Sequence, residues 1–418
     1  MDGERLSGDG LDVSIVMPCL NESLSLPHCI GVAQEALAEL NRRHGLSGEV
    51  VIADNGSTDG SQQLAQRLGA RVVMVLERGY GAALRGGFAA ARGRFLVMGD
   101  ADGSYDFRDA VSMIERLMAG ADLCMGSRFK GGIAPGAMPW KNRYIGNPVL
   151  TGVLNLLYGA RIDDAHCGLR ALTRDCFDRL QLTGAGMEFA SEMVIKAALK
   201  RQTIAEVATT LSPDLRDRPP HLRPWRDGWR HLRYLFMLSP SGLFAAPAVT
   251  LGGLSLGVLV AAAASAVAGQ PSYFGDYWLV LASAVLGLSH ISAILAFASH
   301  LHGVRSGYRP PKSWVTALSR WVSLETMLIS GASAAAMGFL ILVSVALSWR
   351  AREFAPADSI LPAVLGTLLM TLGAQNALGG FLLAIVSGNE ARFLHSAPAA
   401  TISMASAPPY ERLDALAS

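Results

Sequence analysis

Residues 95–106 read FLVMGDADGSYD, four apolar residues that run directly into a polar turn containing three aspartates. A short apolar run bounded by turn-forming residues is typical of a strand buried on both faces. Asp100 and Asp102 stand one residue apart just beyond this run, and two carboxylates that close repel each other unless a cation lies between them. Carboxylate oxygens are also the ligands that Mg²⁺ prefers beside substrate phosphates. The stretch therefore predicts a buried strand whose carboxyl end binds a divalent ion and a phosphate.

Strand patterns and helical patterns alternate on both sides of this stretch. The predicted strands are residues 14–17, 49–54, 71–76, 95–98 and 121–126, and the predicted helices are 27–43, 79–91 and 106–119. Such alternation favours an α/β fold with a mostly parallel sheet, and these sheets bind ligands beyond the carboxyl ends of their strands. Asn21, Glu22 and Asp54 follow the first two strands. We therefore expect them to lie beside Asp100 and Asp102.

The second half of the 418-residue chain is strongly apolar. Four long stretches contain no Asp, Glu, Lys or Arg: residues 243–269, 277–299, 326–348 and 360–387. A helix rises 1.5 Å per residue, so each stretch can cross a hydrocarbon core of about 30 Å. The predicted organisation is an α/β domain at 1–212, a basic amphipathic juxtamembrane segment at 213–240, a membrane domain of four transmembrane helices at 241–390 and a tail at 391–418.

The first residues and the loop charges predict an orientation. The start, MDGERLSGDG, lacks the basic and apolar regions of a signal peptide, and Arg305, Arg309, Lys312 and Arg320 lie between the second and third apolar stretches. Lys and Arg are enriched in cytoplasmic loops. We therefore expect a multi-pass protein of the cytoplasmic (inner) membrane with its α/β domain and its tail on the cytosolic side. The five cysteines show no paired spacing, which favours reduced thiols.

Four motifs together resemble a known family. PCLNE at 18–22, DNGSTD at 54–59, DADG at 100–103 and GSR at 126–128 occur in this order. Over about residues 12–240 the chain resembles glycosyltransferase family 2, specifically the polyprenyl-phosphate hexose synthases such as the dolichyl-phosphate mannose and dolichyl-phosphate glucose synthases. The resemblance implies a GT-A type, Rossmann-like domain. It also implies a metal-dependent, inverting transfer of a hexose from a nucleotide-sugar to polyprenyl phosphate, with Mg²⁺ or Mn²⁺ as cofactor.

The resemblance assigns residues to the nucleotide-sugar: Pro18, Asn21, Glu22, Asp54 and Asp100. Asp54 would hydrogen-bond the base, and Asp100 would lie near the ribose and the sugar phosphate. The stretch DAHCGLR at 164–170 is similar to a family segment of the form Asp-x-x-x-Gly-Phe-Arg. Glu188 or Glu192 would lie near the sugar hydroxyls, with Glu192 taken as the binding residue.

The resemblance also assigns the metal site. Asp102 would ligate the ion, with Asp100 beside it. Many relatives continue with Leu-Gln after the second aspartate, and that glutamine helps to hold the metal. Here Gly103 and Ser104 stand in those places. This difference puts Ser104 in the predicted metal set and favours a UDP-sugar, such as a UDP-glucose-like donor, over GDP-mannose.

Cations are expected around the acceptor phosphate. Two anionic phosphate groups repel each other at a low-dielectric site, and an arginine fork suits phosphate because it donates two parallel hydrogen bonds. The resemblance implies that Arg128 reaches the diphosphate or the acceptor phosphate, which makes it the third catalytic residue with Asp100 and Asp102. Basic stretches add Arg143, Arg216 and Arg218, and either of the last two is the better candidate. A lipid phosphate is already an anion, so no strong general base is predicted.

Two segments are predicted to lie at the membrane surface. Residues 140–147, WKNRYIGN, precede the apolar run 149–158 and predict an acceptor loop followed by a membrane-lying helix. Further on, helical spacing places four apolar residues in one stripe: Trp225, Trp229, Leu232 and Phe236. Arginines flank this stripe and Pro224 suits a first helical turn, which is the pattern of an interfacial helix.

Two other functions share parts of this pattern. A processive polysaccharide synthase has the same aspartate motifs but usually carries Gln-x-x-Arg-Trp, and the nearest stretch here has Ala317 in place of the glutamine and follows two apolar stretches. A non-catalytic lipid-linked-sugar transporter, or flippase, with a degenerate nucleotide-binding domain has no need of the aspartate pair or of Arg128. The small residues of the apolar stretches favour close helix packing or a homo-oligomer. The expected partners are the nucleotide-sugar, polyprenyl phosphate and membrane lipid, with no nucleic acid.

Overall fold

The computed structural model describes residues 10–216, 224–307, 309–318, 321–357 and 359–393. The predicted phosphate contact of Arg218 lies outside the described residues, as do the side chain of Trp225 and most of the predicted tail. The chain divides into two compact units, residues 1–249 with 303–310 and residues 250–302 with 311–418. The first unit thus extends past the predicted boundary at residue 212.

The described part of the first unit contains one sheet of seven strands: β1 Val13–Cys19, β2 Gly48–Asp54, β3 Arg71–Met74, β4 Phe95–Met98, β5 Leu123–Ser127, β6 Arg170–Thr173 and β7 Ile204–Ala208. The strand order is β3-β2-β1-β4-β6-β5-β7. Only β6 pairs antiparallel, with β4 on one side and β5 on the other. The mostly parallel α/β fold predicted from the sequence is confirmed, and β6 and β7 are strands that the sequence did not predict.

Helices cover both faces of this sheet: α1 Leu26–His44, α2 Ser61–Arg67, α3 Tyr80–Ala90, α4 Ala110–Met118, α5 Arg128–Gly131, α6 Asn147–Tyr158, α7 Arg174–Leu180, α8 Glu188–Leu199 and α9 Pro224–Met237. The core on one face packs α1 and α4 against the sheet, and the core on the other packs α3 and α8. Ile15 and Val16 of β1 face opposite sides and are both fully buried. Burial on both faces explains why Ile15, Val16 and Met17 of β1 and all of β4 are apolar.

Strand register brings the predicted site residues to one edge of the sheet. Cys19, the last residue of β1, lies opposite Asp54, the last residue of β2. On the other side of β1, Val16 lies opposite Met98, the last residue of β4. Parallel strands end at the same edge, so the turns that follow β1, β2 and β4 lie side by side. This edge carries Asn21, Glu22 and the aspartates after Met98.

Helix α9 packs on the α/β domain through a different face from the predicted stripe. Leu235 and His231 are buried, and the His231 ring bonds the Ser191 hydroxyl of α8 at 2.7 Å. The Tyr158 hydroxyl of α6 donates to the Leu235 carbonyl. Trp229, by contrast, is 63% exposed. In the described part of the predicted stripe, Trp229 is therefore open to a surface outside this domain, whereas Leu232 and Phe236 are half-buried.

Four helices in the described residues are long and apolar enough to cross a membrane: Gly242–Val267, Asp276–Arg305, Leu324–Ala351 and Leu361–Val386. The helical elements of this region are α10 Ala246–Val267, α11 Asp276–Arg305, α12 Ser313–Leu318, α13 Leu324–Ala351 and α14 Leu361–Val386. In the second unit, α13 and α14 approach closely because glycines face each other. A Cβ on Gly373 would lie 2.5 Å from the Gly331 carbonyl oxygen. The predicted four-helix membrane domain is confirmed.

Candidate active site

The nucleotide side of the site is built from two interlocked turns. Asn21, which follows β1, has a left-handed backbone with φ of 57°. Its side-chain oxygen accepts a hydrogen bond from the Thr58 amide at 2.7 Å, and its own amide donates to the Ser57 hydroxyl at 2.9 Å. Asparagine tolerates this backbone conformation better than most residues. The turns after β1 and β2 are thus held as one rigid edge.

Asp54 holds the second of these turns. Its carboxylate accepts hydrogen bonds from the amides of Gly56 at 3.0 Å and Ser57 at 3.1 Å, and from the Gln62 side chain at 2.7 Å. The side chain has no exposed surface. Asp54 thus shapes the turn, and the direct contact with a base that the resemblance implies stays a prediction.

Asp100 and Asp102 lie in the turn after β4, as the sequence predicted. Asp100 is partly buried, and its carboxylate lies near the Tyr80 hydroxyl at the start of α3. Burial, followed by the charge of Asp102, raises the pKa of Asp100 to about 6, although the Tyr80 hydrogen bond and the Arg216 charge oppose the shift. The pair is therefore costly to keep ionised without a nearby cation.

Asp102 is nearly buried, at 7% exposure, and both of its carboxylate oxygens have partners. Oδ1 accepts hydrogen bonds from the Ser104 amide at 3.0 Å and the Ser104 hydroxyl at 2.6 Å. Oδ2 lies 3.2 Å from Nη1 of Arg216. Ser104 therefore contacts Asp102 directly, and the predicted metal set is brought together in one turn.

Arg216 reaches this turn from the segment 211–216, which we call the strap. Its Nε lies 3.1 Å from both carboxylate oxygens of Glu22, and its Nη2 lies 3.0 Å from Oε1 of Glu22. The strap is attached through its backbone as well, since the Ser212 amide donates to the Ser104 carbonyl at 2.9 Å and the Leu215 amide to the Asp102 carbonyl at 2.8 Å. Sequence reasoning expected Arg216 at a phosphate, and the structure pairs it with two carboxylates.

Arg128 follows β5 and pairs with Asp164. Its Nε and Nη2 lie 2.6 and 2.7 Å from the two carboxylate oxygens, and its backbone amide donates to the same carboxylate at 3.1 Å. Arg128 is only 7% exposed. The phosphate contact assigned to Arg128 stays a prediction, and in this structure its guanidinium is paired with the Asp164 carboxylate.

Glu192 and Glu188 support the loop that precedes α8. Glu192 is fully buried, lies 2.6 Å from the Lys196 ammonium and accepts hydrogen bonds from the amides of Thr183 and Gly184. Glu188 accepts a hydrogen bond from the Gly186 amide at 2.9 Å. Their contact with sugar hydroxyls stays a prediction, and their observed contacts hold the loop 183–186.

Arg143 lies in a π-helical segment, Asn142–Gly146, that leads directly into α6, on a surface rich in aromatic residues. Its guanidinium lies 5.4 Å from the centre of the Tyr144 ring. Tyr144 itself is exposed, as are Trp140 and Val149 nearby. The predicted acceptor loop, residues 140–147, is therefore helical, and together with α6 it forms an exposed basic and aromatic surface.

Sequence reasoning did not find Tyr80, and it gave Arg170 no role of its own within the family-like stretch 164–170. Tyr80 lies between Gly79 and Gly81, and the available signal was this glycine-flanked aromatic at the start of a helix. Arg170, at the start of β6, is fully buried and donates to the carbonyls of Cys167 and Ala165 at 2.9 and 3.0 Å. Burial lowers its pKa. We call the sheet edge that carries Glu22, Asp100 and Asp102 the acidic edge. Arg170 pairs with Met98 at the end of β4 and thus places a positive charge close to this edge.

The acidic edge suits a cation that takes further ligands from a substrate. Among the residues that the structure describes, no group of three or more His, Cys, Asp or Glu side chains is arranged to hold a metal. Mg²⁺ commonly binds through one or two carboxylates together with substrate phosphates. The raised pKa of Asp100 and the guanidinium already paired with Asp102 both indicate a site with an affinity for positive charge. The residues present fit a divalent ion of that kind.

Comparison with known protein families gives two matches. Residues 14–181 match glycosyl transferase family 2, and residues 297–387 match the glycosyltransferase family 2 C-terminal transmembrane region. The second match covers the end of α11 and all of α12, α13 and α14. Together with the four apolar helices, it identifies a membrane protein.

Several characterised proteins are similar to the chain. The low-salt glycan biosynthesis hexosyltransferase Agl6 of Haloferax volcanii is 34% identical over 377 residues, which is 89% of this chain and 88% of that protein. A dolichyl-phosphate hexose transferase of the same organism is 30% identical over 47% of this chain and 81% of that protein. Polyprenol monophosphomannose synthase of Mycolicibacterium smegmatis is 28% identical over 50% of this chain and 84% of that protein.

A solved structure is also similar to part of the chain. Glucosyl-3-phosphoglycerate synthase from Mycobacterium tuberculosis, in complex with Mn²⁺, uridine diphosphate and glucosyl-3-phosphoglycerate, is 24% identical. The likeness covers 55% of this chain and 78% of that one, with a TM-score of 0.39.

Proposed function

Because the chain belongs to glycosyltransferase family 2, we propose that this membrane protein transfers a hexose from a nucleotide-sugar to polyprenyl phosphate. The observation that carries the proposal is the acidic edge of Glu22, Asp100 and Asp102, crossed by Arg216, in a chain that continues into four apolar helices. Similarity to a dolichyl-phosphate hexose transferase and to a polyprenol monophosphomannose synthase supports a lipid phosphate as the acceptor.

We assign the nucleotide to the rigid edge formed by the turns after β1 and β2. Pro18, Asn21 and Glu22 line it from β1, and Asp54 holds the facing turn. Glycine and serine at 56 and 57 keep this turn small enough for a base to approach the backbone. Gly103 and Ser104, in place of Leu-Gln, favour a UDP-sugar.

Asp100, Asp102 and Ser104 would hold Mg²⁺ or Mn²⁺. A divalent cation there would neutralise the charge that develops on the nucleoside-diphosphate leaving group. The chain's own contribution is to keep the two carboxylates together: Ser104 donates hydrogen bonds to Asp102, and Tyr80 lies beside Asp100. Their mutual repulsion is the reason that positive charge is favoured at this point.

The acceptor phosphate attacks the anomeric carbon directly. One of its oxygens forms the new bond to that carbon while the bond to the nucleoside diphosphate breaks, so the configuration inverts. The phosphate is already ionised and needs no general base. Arg216 lies at the acidic edge and Arg143 on the aromatic surface, and we assign both to the acceptor phosphate. Arg128 is a further candidate for a phosphate contact, and its guanidinium is paired with Asp164 in this structure.

The membrane contributes the acceptor and orients the enzyme. The exposed apolar residues of α6 and the Trp229 side of α9 are suited to the interface between lipid and water. Arg305 ends the second span, and Arg309 and Lys312 lie between the second and third spans. Their charge supports an inner-membrane protein whose catalytic domain faces the cytosol.

The test uses the full chain, purified in lipid nanodiscs, with one polyprenyl phosphate and a panel of UDP- and GDP-sugars, with and without EDTA. We expect one UDP-sugar to be consumed, a lipid-phosphate-sugar to form, and EDTA to stop the reaction. Asp102→Asn is expected to abolish transfer with its melting temperature retained. Glu115→Gln removes a surface carboxylate that pairs with His44 and is the matched control.

Three results would contradict the proposal. Formation of a sugar polymer would indicate a processive synthase. Binding of the nucleotide-sugar without turnover on any lipid phosphate would indicate a non-catalytic protein. Full activity of Asp102→Asn would show that the acidic edge takes no part in the transfer reaction.

A further inference from the structure

One guanidinium joins two carboxylates at the acidic edge. Nε and Nη2 of Arg216 contact Glu22 at 3.0 to 3.1 Å, whereas Nη1 contacts Oδ2 of Asp102 at 3.2 Å. The side chains of Arg216, Glu22 and Asp102 are 17%, 6% and 10% exposed. The pairing is therefore largely shielded from solvent and is stronger than a surface ion pair.

The two oxygens of Asp102 differ in their partners. Oδ1 is held by the amide and the hydroxyl of Ser104, which belong to the same turn. Oδ2 is held by Nη1 of Arg216, which reaches it from a segment more than a hundred residues later. An incoming cation can exchange with Nη1 at Oδ2 without breaking the turn, because the contacts of Ser104 lie on the other oxygen.

The strap provides a fixed base for such an exchange. Its backbone is bonded to the carbonyls of Asp102 and Ser104, and the Leu215 side chain packs on Gly103, where a Cβ would lie 2.7 Å from Leu215. Gly103 has φ of 81°, a conformation that favours glycine. The side chain of Arg216 can therefore leave Asp102 while the strap stays attached and Glu22 retains Nε and Nη2.

We propose that the Arg216 guanidinium is a stand-in cation, which occupies the cation-binding oxygen of Asp102 until a divalent ion displaces it. This inference rests on the proposed function for the identity of the ion. Displacement frees Nη1 while Glu22 keeps the rest of the guanidinium at the site. The freed donor is then available to an anionic substrate group, so loading of the cation and exposure of a phosphate-binding donor occur in one step.

The proposal predicts the sign of an affinity change. An arginine that serves only an incoming phosphate has little effect on metal binding when no phosphate is present. An arginine that competes for Oδ2 weakens metal binding, and its removal strengthens it. Removing a unit positive charge within contact distance of the ion is expected to tighten binding on the order of tenfold in a partly solvated site.

The experiment measures Mn²⁺ binding to the full chain without nucleotide, by the electron paramagnetic resonance signal of free Mn²⁺. Arg216→Ala is expected to bind Mn²⁺ about tenfold more tightly than the wild type, and Arg216→Lys to fall between them, because lysine retains the charge but not the fork. Arg71→Ala is the matched control: Arg71 pairs with Glu49 at 2.8 Å at the opposite end of β2 and β3. Its removal is expected to leave the Mn²⁺ affinity unchanged.

A double variant shows where the effect arises. Arg216→Ala combined with Asp102→Asn should lose the tighter binding, because the gain depends on Oδ2. Equal or weaker Mn²⁺ binding by a folded Arg216→Ala protein would overturn the stand-in role and leave the proposed transferase function intact. If no protein in the series bound Mn²⁺, with or without uridine diphosphate, both the stand-in role and the proposed metal site would be wrong.

Discussion

Arg128 and Asp164 form a buried, two-pronged ion pair at 2.6 and 2.7 Å that links the turn after β5 to the segment leading into β6. The Asp164 side chain has no exposed surface, and that of Arg128 is 8% exposed. The pair lies behind the acidic edge, where Arg170 adds a second buried guanidinium. A buried charge of this kind is stable only while its partner is present.

We therefore expect Arg128→Ala to destabilise the domain by about 3–5 kcal/mol, because it leaves the Asp164 carboxylate buried without its partner. The measurement is the unfolding midpoint in detergent, followed by intrinsic fluorescence. Arg179→Ala is the control: Arg179 pairs with Asp175 at the surface, where an ion pair contributes about 0–1 kcal/mol. Equal losses of stability for the two variants would show that the buried Arg128–Asp164 pair stabilises the domain no more than a surface ion pair does.

His166 predicts a pH dependence of stability. Burial, followed by the charges of His231 and Arg128, lowers the pKa of His166 to about 3 from its ordinary 6.5. The unfolded chain therefore binds a proton between pH 6.5 and 3 that the folded chain does not. Stability must fall as the pH decreases through this range, at about 1.4 kcal/mol per pH unit for this one group.

Replacing the imidazole isolates that contribution. His166→Phe keeps a ring against His231, whose centroid lies 5.0 Å away, and removes the titrating group. We expect its unfolding midpoint to fall less steeply than that of the wild type between pH 6 and pH 4. Gln34→Ala, at an exposed position of α1 without a titratable side chain, should retain the wild-type slope. A slope unaffected by His166→Phe would contradict the assignment.

The parts of this fold that the sequence predicted are those with a strong local pattern. The centre of β1 and all of β4 are apolar, and the four spans are long and uncharged except at their ends, so composition alone indicates that these segments are buried or lie in lipid. β6 is four residues long and begins with the charged Arg170. β7 has Glu206 at its centre, and this carboxylate accepts a hydrogen bond from the Lys130 ammonium at 2.9 Å. Their pairing depends on contacts with distant strands, which local patterns do not encode.

The same limit applies to the candidate site. Glu22, Asp100 and Asp102 follow predicted strands, and the register of a parallel sheet brings them together. The partners of Arg216 and Arg128 lie far away in sequence, so residue type indicated an anion but not which one. In both cases the anion in this structure is a carboxylate of the domain.

Gly79 is expected to be essential for the position of Tyr80. Its φ is 136°, and a Cβ there would overlap the Ala185 carbonyl oxygen, a backbone atom that cannot easily move. Gly79→Ala should shift Tyr80 from Asp100 and weaken nucleotide-sugar binding by about tenfold, a cost comparable to one hydrogen bond to a charged group. The measurement is calorimetric titration with the donor. Gly31→Ala, in open space on α1, should bind normally and gain up to about 1 kcal/mol of stability.

The α13–α14 pair gives a prediction for the second unit. Gly331 and Gly373 let the two backbones approach, and a Cβ on Gly373 would also lie 2.6 Å from the Ala335 amide nitrogen. Close approach between small residues is a main source of helix association in lipid. Gly373→Val should therefore separate the helices and lower the melting temperature in nanodiscs. Gly253→Val places the same side chain on α10, where a Cβ meets nothing within 4 Å, and it should melt like the wild type. If both variants melted alike, the glycine contact would not be what holds this helix pair together.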